Sequence, residues 1–114
     1  YNSSSSPTMM NVAATGTGGT DHYGVYNNVS SPSMTNVTAT ATGGTDNRGV
    51  YNYSSSSPSI RNSSITGTKS IWNTGGSSAQ VADTMLDGTV TAGGGLACVG
   101  AYDETFSVLN ASCS

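Results

Sequence analysis

The chain has 114 residues, enough for one domain, and its composition argues against several functional classes. Charged residues make up 8% and the formal net charge is −3; the three cations, Arg48, Arg61 and Lys69, are too few to neutralise a phosphate backbone. We therefore expect no nucleic-acid partner. No apolar run is long enough to span a bilayer, so we also expect no membrane insertion. The abundant Ser, Thr, Asn and Gly favour an exported, water-facing β surface, and so an extracellular or cell-surface location.

The sequence repeats itself from its first residue. Successive copies open with Tyr1-Asn2, Tyr26-Asn27, Tyr51-Asn52 and Trp72-Asn73, at spacings of 25, 25 and 21 residues. A period in the twenties is typical of solenoids, in which one unit cannot bury its apolar side alone and stacks on its neighbours. We predict rungs over residues 1–25, 26–50, 51–71 and 72–92, followed by a C-terminal capping segment over residues 93–114.

Each rung contributes to two apolar columns. The first column is Met9, Met34, Ile60 and Val81, and the second is Ala14, Ala39, Ile65 and Leu86. Strand-like segments are separated by Gly, Pro, Asn and Ser, and no window shows helical periodicity. A rung of this length fits three short strands and three corners. We therefore predict that successive rungs pair in parallel, about 4.8 Å apart, with both columns inside.

A third column is polar and consists of Asn11, Asn36, Asn62 and, in the fourth copy, Asp83. Asn tolerates the left-handed backbone conformation that a tight corner between two strands requires. Stacked Asn side chains can also hydrogen-bond from rung to rung. We therefore predict that this column forms a corner and a structural ladder.

The repeat resembles a known family. Gly24-Val25-Tyr26-Asn27 is followed by a Ser-rich corner and then by Pro32-x-Met34-x-Asn36-x-x-Ala39, a pattern that the other copies share. It is similar to the right-handed parallel β-helix repeat of the pectate-lyase-like superfamily, which includes polysaccharide lyases and hydrolases, phage tailspikes and bacterial surface adhesins. The resemblance covers about residues 1–92. It implies an all-β, right-handed, single-stranded parallel β-helix (solenoid) of about four rungs with a C-terminal cap, and it describes packing more than activity.

Two local features modify the repeat. The first two rungs carry extra residues at one corner, over 15–21 and 40–46, which we expect to form stacked protruding loops. The only cysteines, Cys98 and Cys113, lie in the predicted cap. In an exported chain they favour one disulfide closing a short loop, the alternative being two unpaired buried thiols.

The strongest candidate for binding is the aromatic column, Tyr26, Tyr51 and Trp72, which Tyr1 would extend. Alternation along a strand places these rings outside if the preceding Val25, Val50 and Ile71 fill the interior. Exposed aromatic side chains mark contact surfaces for sugars or proteins. The alternatives are that the rings point inward, or that they stack only for stability.

Candidates for catalysis are few. Asp21 and Asp46 share a loop position and are the best available carboxylate pair for glycoside hydrolysis or for calcium, although turn formation explains them better. His22, the single histidine, lacks an oriented nucleophile, and threonine rows such as Thr38-x-Thr40-x-Thr42 resemble ice-binding faces but are ordinary on strands. We expect no catalytic residue and no cofactor.

These observations favour a non-catalytic, exported structural or interaction module: a β-solenoid segment of a surface, adhesin-like or filament-forming protein. The expected partner is a second copy of the chain, in a homo-oligomer or filament, or a cell-surface glycan. The alternative is a carbohydrate-binding or carbohydrate-active β-helix that uses the aromatic column.

Overall fold

The computed structural model describes all residues from Tyr1 to Ser114 and contains thirteen β-strands and no helix. Accordingly, no helix long and apolar enough to cross a membrane is present. The strands are β1 (Asn2–Ser3), β2 (Thr8–Met10), β3 (Ala13–Gly16), β4 (Asp21–Asn28), β5 (Ser33–Thr35), β6 (Thr38–Ala41), β7 (Asp46–Tyr53), β8 (Ser59–Arg61), β9 (Ser64–Asn73), β10 (Ala79–Ala82), β11 (Met85–Ala92), β12 (Leu96–Val99) and β13 (Tyr102–Asp103).

The strands form two sheets in which every neighbouring pair runs parallel. The smaller sheet has the order β12-β10-β8-β5-β2. The larger has the order β1-β4-β7-β9-β11-β13, with β3 pairing to β6 and β6 to β9 beside it. The chain is therefore a parallel β-solenoid of about three turns. This confirms the predicted fold class, and the four predicted rungs are close to that number.

The predicted loops explain why the larger sheet divides. In the first two rungs a bend, at 18–20 and 43–45, separates β3 from β4 and β6 from β7. The third and fourth rungs lack the extra residues, so each has one continuous strand, β9 or β11, where the first two rungs have two strands. The insertions thus leave the stacking of the rungs intact and only add loops at the surface.

The interior is built from the predicted apolar columns. Six of their eight members are buried in the core, and Met9 and Ala14 in the first rung are partly buried against it. The pairing of Met34 with Ile60 and of Ala39 with Ile65 shows that members of a column lie directly above one another. Burying one such aliphatic side chain completely stabilises the fold by about 1.5–3 kcal/mol.

A third inner column comes from the Gly-Val-Tyr-Asn motif, where Val25, Val50 and Ile71 are buried. The glycine before the valine is required by close packing at this corner. A Cβ added at Gly49 would lie 2.5 Å from Ile65 Cγ2 and 2.8 Å from the Ser70 carbonyl oxygen. Only glycine allows the backbone to approach the facing strand so closely.

The predicted Asn corner forms, but its ladder is short. Asn11, Asn36, Asn62 and Asp83 all have φ between 47° and 54°, in the left-handed region. Asn36 Nδ2 donates to Asn11 Oδ1 at 3.2 Å, and this is the one side-chain hydrogen bond between members of the column. These side chains are exposed, so water competes for their amides.

The continuous amide ladder lies instead in the Asn that follows each aromatic residue. Asn2 donates to Asn27 at 2.9 Å, Asn27 to Asn52 at 2.8 Å, Asn52 to Asn73 at 2.8 Å, and Asn73 to the Gly95 carbonyl at 3.4 Å. Asn27, Asn52 and Asn73 are fully buried. Each of these amides satisfies its neighbour, which removes the penalty of burying a polar group beside the apolar columns.

A serine column supports the adjacent corner in the same way. The backbone N–H of Ser5 donates to Ser30 Oγ, that of Ser30 to Ser56 Oγ, and that of Ser56 to Ser77 Oγ, at 3.0–3.2 Å. Ser30, Ser56 and Ser77 are buried. The Ser-rich corner is therefore a hydrogen-bonded part of the interior.

The first part of the predicted capping segment continues the solenoid. Within the predicted cap over residues 93–114, β12 pairs in parallel with β10, and β13 pairs with the start of β11. Cys98 stacks on Val81 and continues the first column, while Ala101 is fully buried. The parallel pairing therefore extends to Asp103, which pairs with Leu86 and so ends the second column with a charged residue.

The predicted disulfide is confirmed: Cys98 is bonded to Cys113, fifteen residues later. Both residues are buried, and both belong to the hydrophobic core. Disulfides are typical of proteins that fold in oxidising compartments.

Candidate functional site

The aromatic column lies on the outer surface of the larger sheet. Tyr26 pairs with Tyr51 and Tyr51 with Trp72 in the strand register, and each ring is half-buried. The residues before them fill the interior, so the alternation of side chains directs the rings outward. Tyr1 extends the column, with its ring centroid 4.8 Å from that of Tyr26 in an edge-on arrangement.

The rings of the column cover one another. Ring centroids are 4.9 Å apart for Tyr26 and Tyr51 and 5.3 Å apart for Tyr51 and Trp72, with interplanar angles of 32° and 34°. Tyr23 stacks on Tyr51 from the side at 5.4 Å. Burial, and secondarily the neighbouring tyrosines, raise the pKa of Tyr26 above its usual value. The surface therefore presents ring edges more than open ring faces.

Arg48 lies at the centre of this surface and was not among the predicted site residues. Its guanidinium carbon is 3.7 Å from the Trp72 ring centroid and 5.0 Å from that of Tyr51. Nη1 donates to the Tyr23 hydroxyl at 2.7 Å, and Nη2 pairs with the carboxylate of Asp46. Only 7% of Arg48 is exposed, and its Nε is a buried donor without an acceptor. Cation–π attraction to the two rings offsets part of that cost.

Asp46 and Lys69 complete the charged group beside the rings. Lys69 Nζ lies 2.8 Å from Asp46 Oδ1 and 4.6 Å from the Trp72 ring centroid. Burial raises the pKa of Asp46, but hydrogen bonds from Lys69 and Arg48 outweigh it and hold the pKa below its usual value. The strand register could have revealed this group, since Tyr23, Arg48 and Lys69 occupy one column.

The two carboxylates predicted as a pair have different surroundings. Asp21 and Asp46 are register partners in adjacent strands, as expected from their shared loop position. Both oxygens of Asp46 are engaged by cations, however, and Asp21 is exposed. No group of three or more His, Cys, Asp or Glu residues converges in the structure. The geometry thus places Asp46 in an ion-pair network rather than opposite Asp21 around a calcium ion or a glycosidic bond.

His22 is a buried structural residue of the first loop. Its Nδ1 lies 3.0 Å from Asn47 Oδ1, and its Nε2 accepts a hydrogen bond from the backbone N–H of Gly19. Nδ1 thus faces an acceptor, and Nε2 faces a donor. Asn47 does the same in the next loop, where its Oδ1 accepts from the Gly44 N–H at 2.9 Å. His22 therefore holds a turn closed through these two contacts.

The threonine rows are shorter than their sequence spacing suggests. Thr15, Thr40 and Thr66 stack in register, but the next residue in that column is Asp87. Thr38 stacks between Ala13 and Ser64. The outer face is therefore not a regular array of hydroxyls.

No protein-family model, curated protein or solved structure matches the chain.

Proposed function

We propose that the chain is a non-catalytic structural and interaction module, a rigid β-solenoid segment of an exported surface, adhesin-like or filament-forming protein that associates with further copies of itself. The observation that carries this proposal is that the polar side chains of the chain bond to one another within the fold. The buried asparagine, serine and histidine side chains hold rungs and turns together, and the charged side chains beside the aromatic column pair with one another.

The aromatic column is the surface that we propose for association. It lies outside the core yet collects Tyr26, Tyr51, Trp72 and the exposed Tyr53 on one side of a stiff scaffold. Tyrosine and tryptophan are enriched at protein interfaces because they bury a large area at a low cost in side-chain entropy. Side-by-side packing of two such columns would cover the ring edges.

Sedimentation velocity over a wide concentration range tests the proposal. We expect species larger than the monomer, and we expect Tyr53→Ser to weaken their formation while Val99→Ser, an exposed change on the smaller sheet, does not. A monodisperse monomer at the highest attainable concentration would contradict self-association. Electron microscopy of the same samples distinguishes filaments from closed oligomers.

Carbohydrate recognition by the aromatic column is a second proposal. It is supported by the position of Asp46 and Lys69, which offer hydrogen-bonding groups beside the exposed part of Trp72. A glycan array probed with the wild-type chain and with Trp72→Ala tests it, and Thr91→Ala, at the next position of the column, is the matched control. Absence of a signal, or a signal that survives Trp72→Ala, would contradict the proposal.

The repeat also supports a proposed relationship to the pectate-lyase-like superfamily, with its right-handed winding, and an extracellular or cell-surface location. The disulfide supports the proposed location. An experimental structure tests the handedness, and localisation of the native protein by surface labelling of intact cells tests the compartment.

A further inference from the structure

The last residues of the chain run against the direction of the solenoid. Tyr102 forms an isolated bridge with Val108, and this is the one antiparallel pairing in the molecule. The Leu109 N–H donates to the Ala101 carbonyl, and the Cys98 N–H donates to the Ala111 carbonyl, both at 2.9 Å. Residues 105–114, which we name the C-terminal strap, therefore occupy the edge of the last turn, where a further parallel strand would otherwise pair.

Few side chains hold the strap to the body of the protein. Leu109 packs partly against the core and Cys113 is buried in it. Phe106 and Val108 are 79% and 80% exposed, and the Phe106 ring makes one contact, a stack on the Tyr102 ring at 5.8 Å. A groove of about 500 Å³ separates part of the strap from β11 and is lined by Leu86, Val90, Leu109 and Cys113. The strap thus covers the end of the solenoid without packing closely against all of it.

The root of the strap is fixed independently of the cysteines. The carboxylate of Asp103 accepts hydrogen bonds from the N–H and hydroxyl of Thr105, at 2.8 and 2.7 Å, and from the Ser107 N–H at 3.0 Å. The hydrogen bonds from Thr105 and then Ser107 lower the pKa of Asp103. The root turn therefore persists whether or not the far end of the strap is attached.

We propose that the strap is a redox-controlled cover over the end of the solenoid, closed while Cys98 and Cys113 are bonded and released by a dithiol reductant. The bond closes a loop of 15 residues. In the chain-entropy model a loop of that size restricts the open ensemble enough to shift opening by on the order of 100-fold. Without the bond, the part of the closed strap beyond its root turn is held by the two backbone hydrogen bonds of the Tyr102 bridge, by the one from the Cys98 N–H, and by the partial burial of Leu109. The stack of Phe106 on Tyr102 remains at the root.

The chemistry balances with a dithiol as the only co-reactant. One thiolate of the reductant attacks a sulfur of the disulfide, forms a mixed disulfide and expels the other cysteine as a thiolate. The second thiol of the reductant then displaces the remaining cysteine. The reductant leaves as a cyclic disulfide, and two electrons and two protons are transferred to Cys98 and Cys113. Because both cysteines are almost completely buried, attack follows a local fluctuation that exposes one sulfur while the bond is still intact, and release of the strap comes after reduction.

Release uncovers a defined surface. The Cys98 N–H loses its acceptor, and the edge of β12 becomes available for pairing. Ala101, which is fully buried in the closed form, and the apolar floor of the groove at Leu86 and Val90 lose their cover. Opening therefore converts a sealed end into an exposed strand edge with an apolar border, and this inference does not depend on the proposed self-association.

Amide hydrogen exchange measured by NMR on the full chain, with and without a dithiol, tests the proposal. We expect exchange at the Cys98 and Leu109 amides to accelerate on the order of 100-fold upon reduction. The Ser64 amide, bonded to the Val37 carbonyl at 2.9 Å, and the Tyr102 amide, bonded to the Thr84 carbonyl at 3.1 Å, should stay protected as before. Cys113→Ser should reproduce the reduced pattern without reductant, and Ser112→Ala is the matched control.

Three results would overturn the proposal. Unchanged exchange at the Leu109 amide would mean that non-covalent contacts hold the strap. Equal acceleration at the Ser64 amide would mean that the disulfide stabilises the whole solenoid. Acceleration at the Tyr102 amide together with that of Leu109 would mean that the last turn detaches as a unit and that no separate strap exists.

Discussion

Asn52 Nδ2 donates a hydrogen bond to Asn73 Oδ1, 2.8 Å away and one turn further along the solenoid, in a fully buried position. Asn52→Ala would leave two groups without partners in the interior, the donor of Asn27 and the acceptor of Asn73. Each unsatisfied buried group costs about 1–3 kcal/mol, so we expect the free energy of unfolding to fall by about 2–5 kcal/mol in urea titrations.

The control for that change is Asn36→Gly. Asn36 is exposed and has a φ of 54°, which glycine adopts without strain. We expect a loss below about 1 kcal/mol. Equal losses for the two variants would show that the buried ladder is not the stabilising one.

Ile65 is fully buried in the second apolar column, between Ala39 and Leu86. Ile65→Asn removes aliphatic packing and buries an amide without a partner, so we expect a loss above about 4 kcal/mol, enough to unfold much of the protein. Thr42→Ser, on the exposed loop, should change stability by less than about 0.5 kcal/mol. Thermal unfolding followed by circular dichroism compares them, and a neutral Ile65→Asn would contradict the inward column.

Arg48 stabilises the aromatic surface through its planar guanidinium. Arg48→Lys keeps the charge but loses the flat contact with the Trp72 ring and the bond to Tyr23. We expect a loss of about 1–2 kcal/mol and a red shift of the fluorescence of Trp72, the one tryptophan in the chain. Arg61→Lys, at an exposed position, should change neither quantity.

Asp46 makes stability depend on pH. Its pKa in the folded protein lies below the usual carboxylate value, so the unfolded chain binds a proton first as the pH falls. The stabilisation is fully present above the unfolded pKa, about 4, and is lost as the pH falls through the folded pKa. Asp46→Asn should be less stable at neutral pH and should lose less stability below pH 4 than the wild type. If the free energy of unfolding fell equally for Asp46→Asn and for the wild type below pH 4, this role of Asp46 would be excluded.

His22 closes its turn by accepting a hydrogen bond, as Asn47 does one rung later. His22→Asn should therefore stay within about 1 kcal/mol of the wild type, whereas His22→Ala should lose about 1–2 kcal/mol. Differential scanning calorimetry measures both. A much larger loss for Asn than for Ala would show that the ring itself is needed.

The sequence revealed the interior of the apolar columns because spacing along a solenoid maps directly onto position within a turn. Met34 and Ile60 could be aligned without knowing any contact. It did not find the continuous ladder of Asn27, Asn52 and Asn73, because an Asn beside an aromatic and an Asn at a corner look alike in a repeat. Their burial decides which amides are shielded from water, and burial depends on where each corner bends.

The sequence by itself determined the parallel solenoid, because the periodic apolar residues are buried when successive repeats stack on one another. It also indicated the disulfide, from the number of cysteines and the expected compartment. Only the tertiary structure decided what the side chains between the columns do. Arg48 reaches the Trp72 ring, and the strap turns back along the last strand, because the three-dimensional path of the chain brings together groups that no repeat relates.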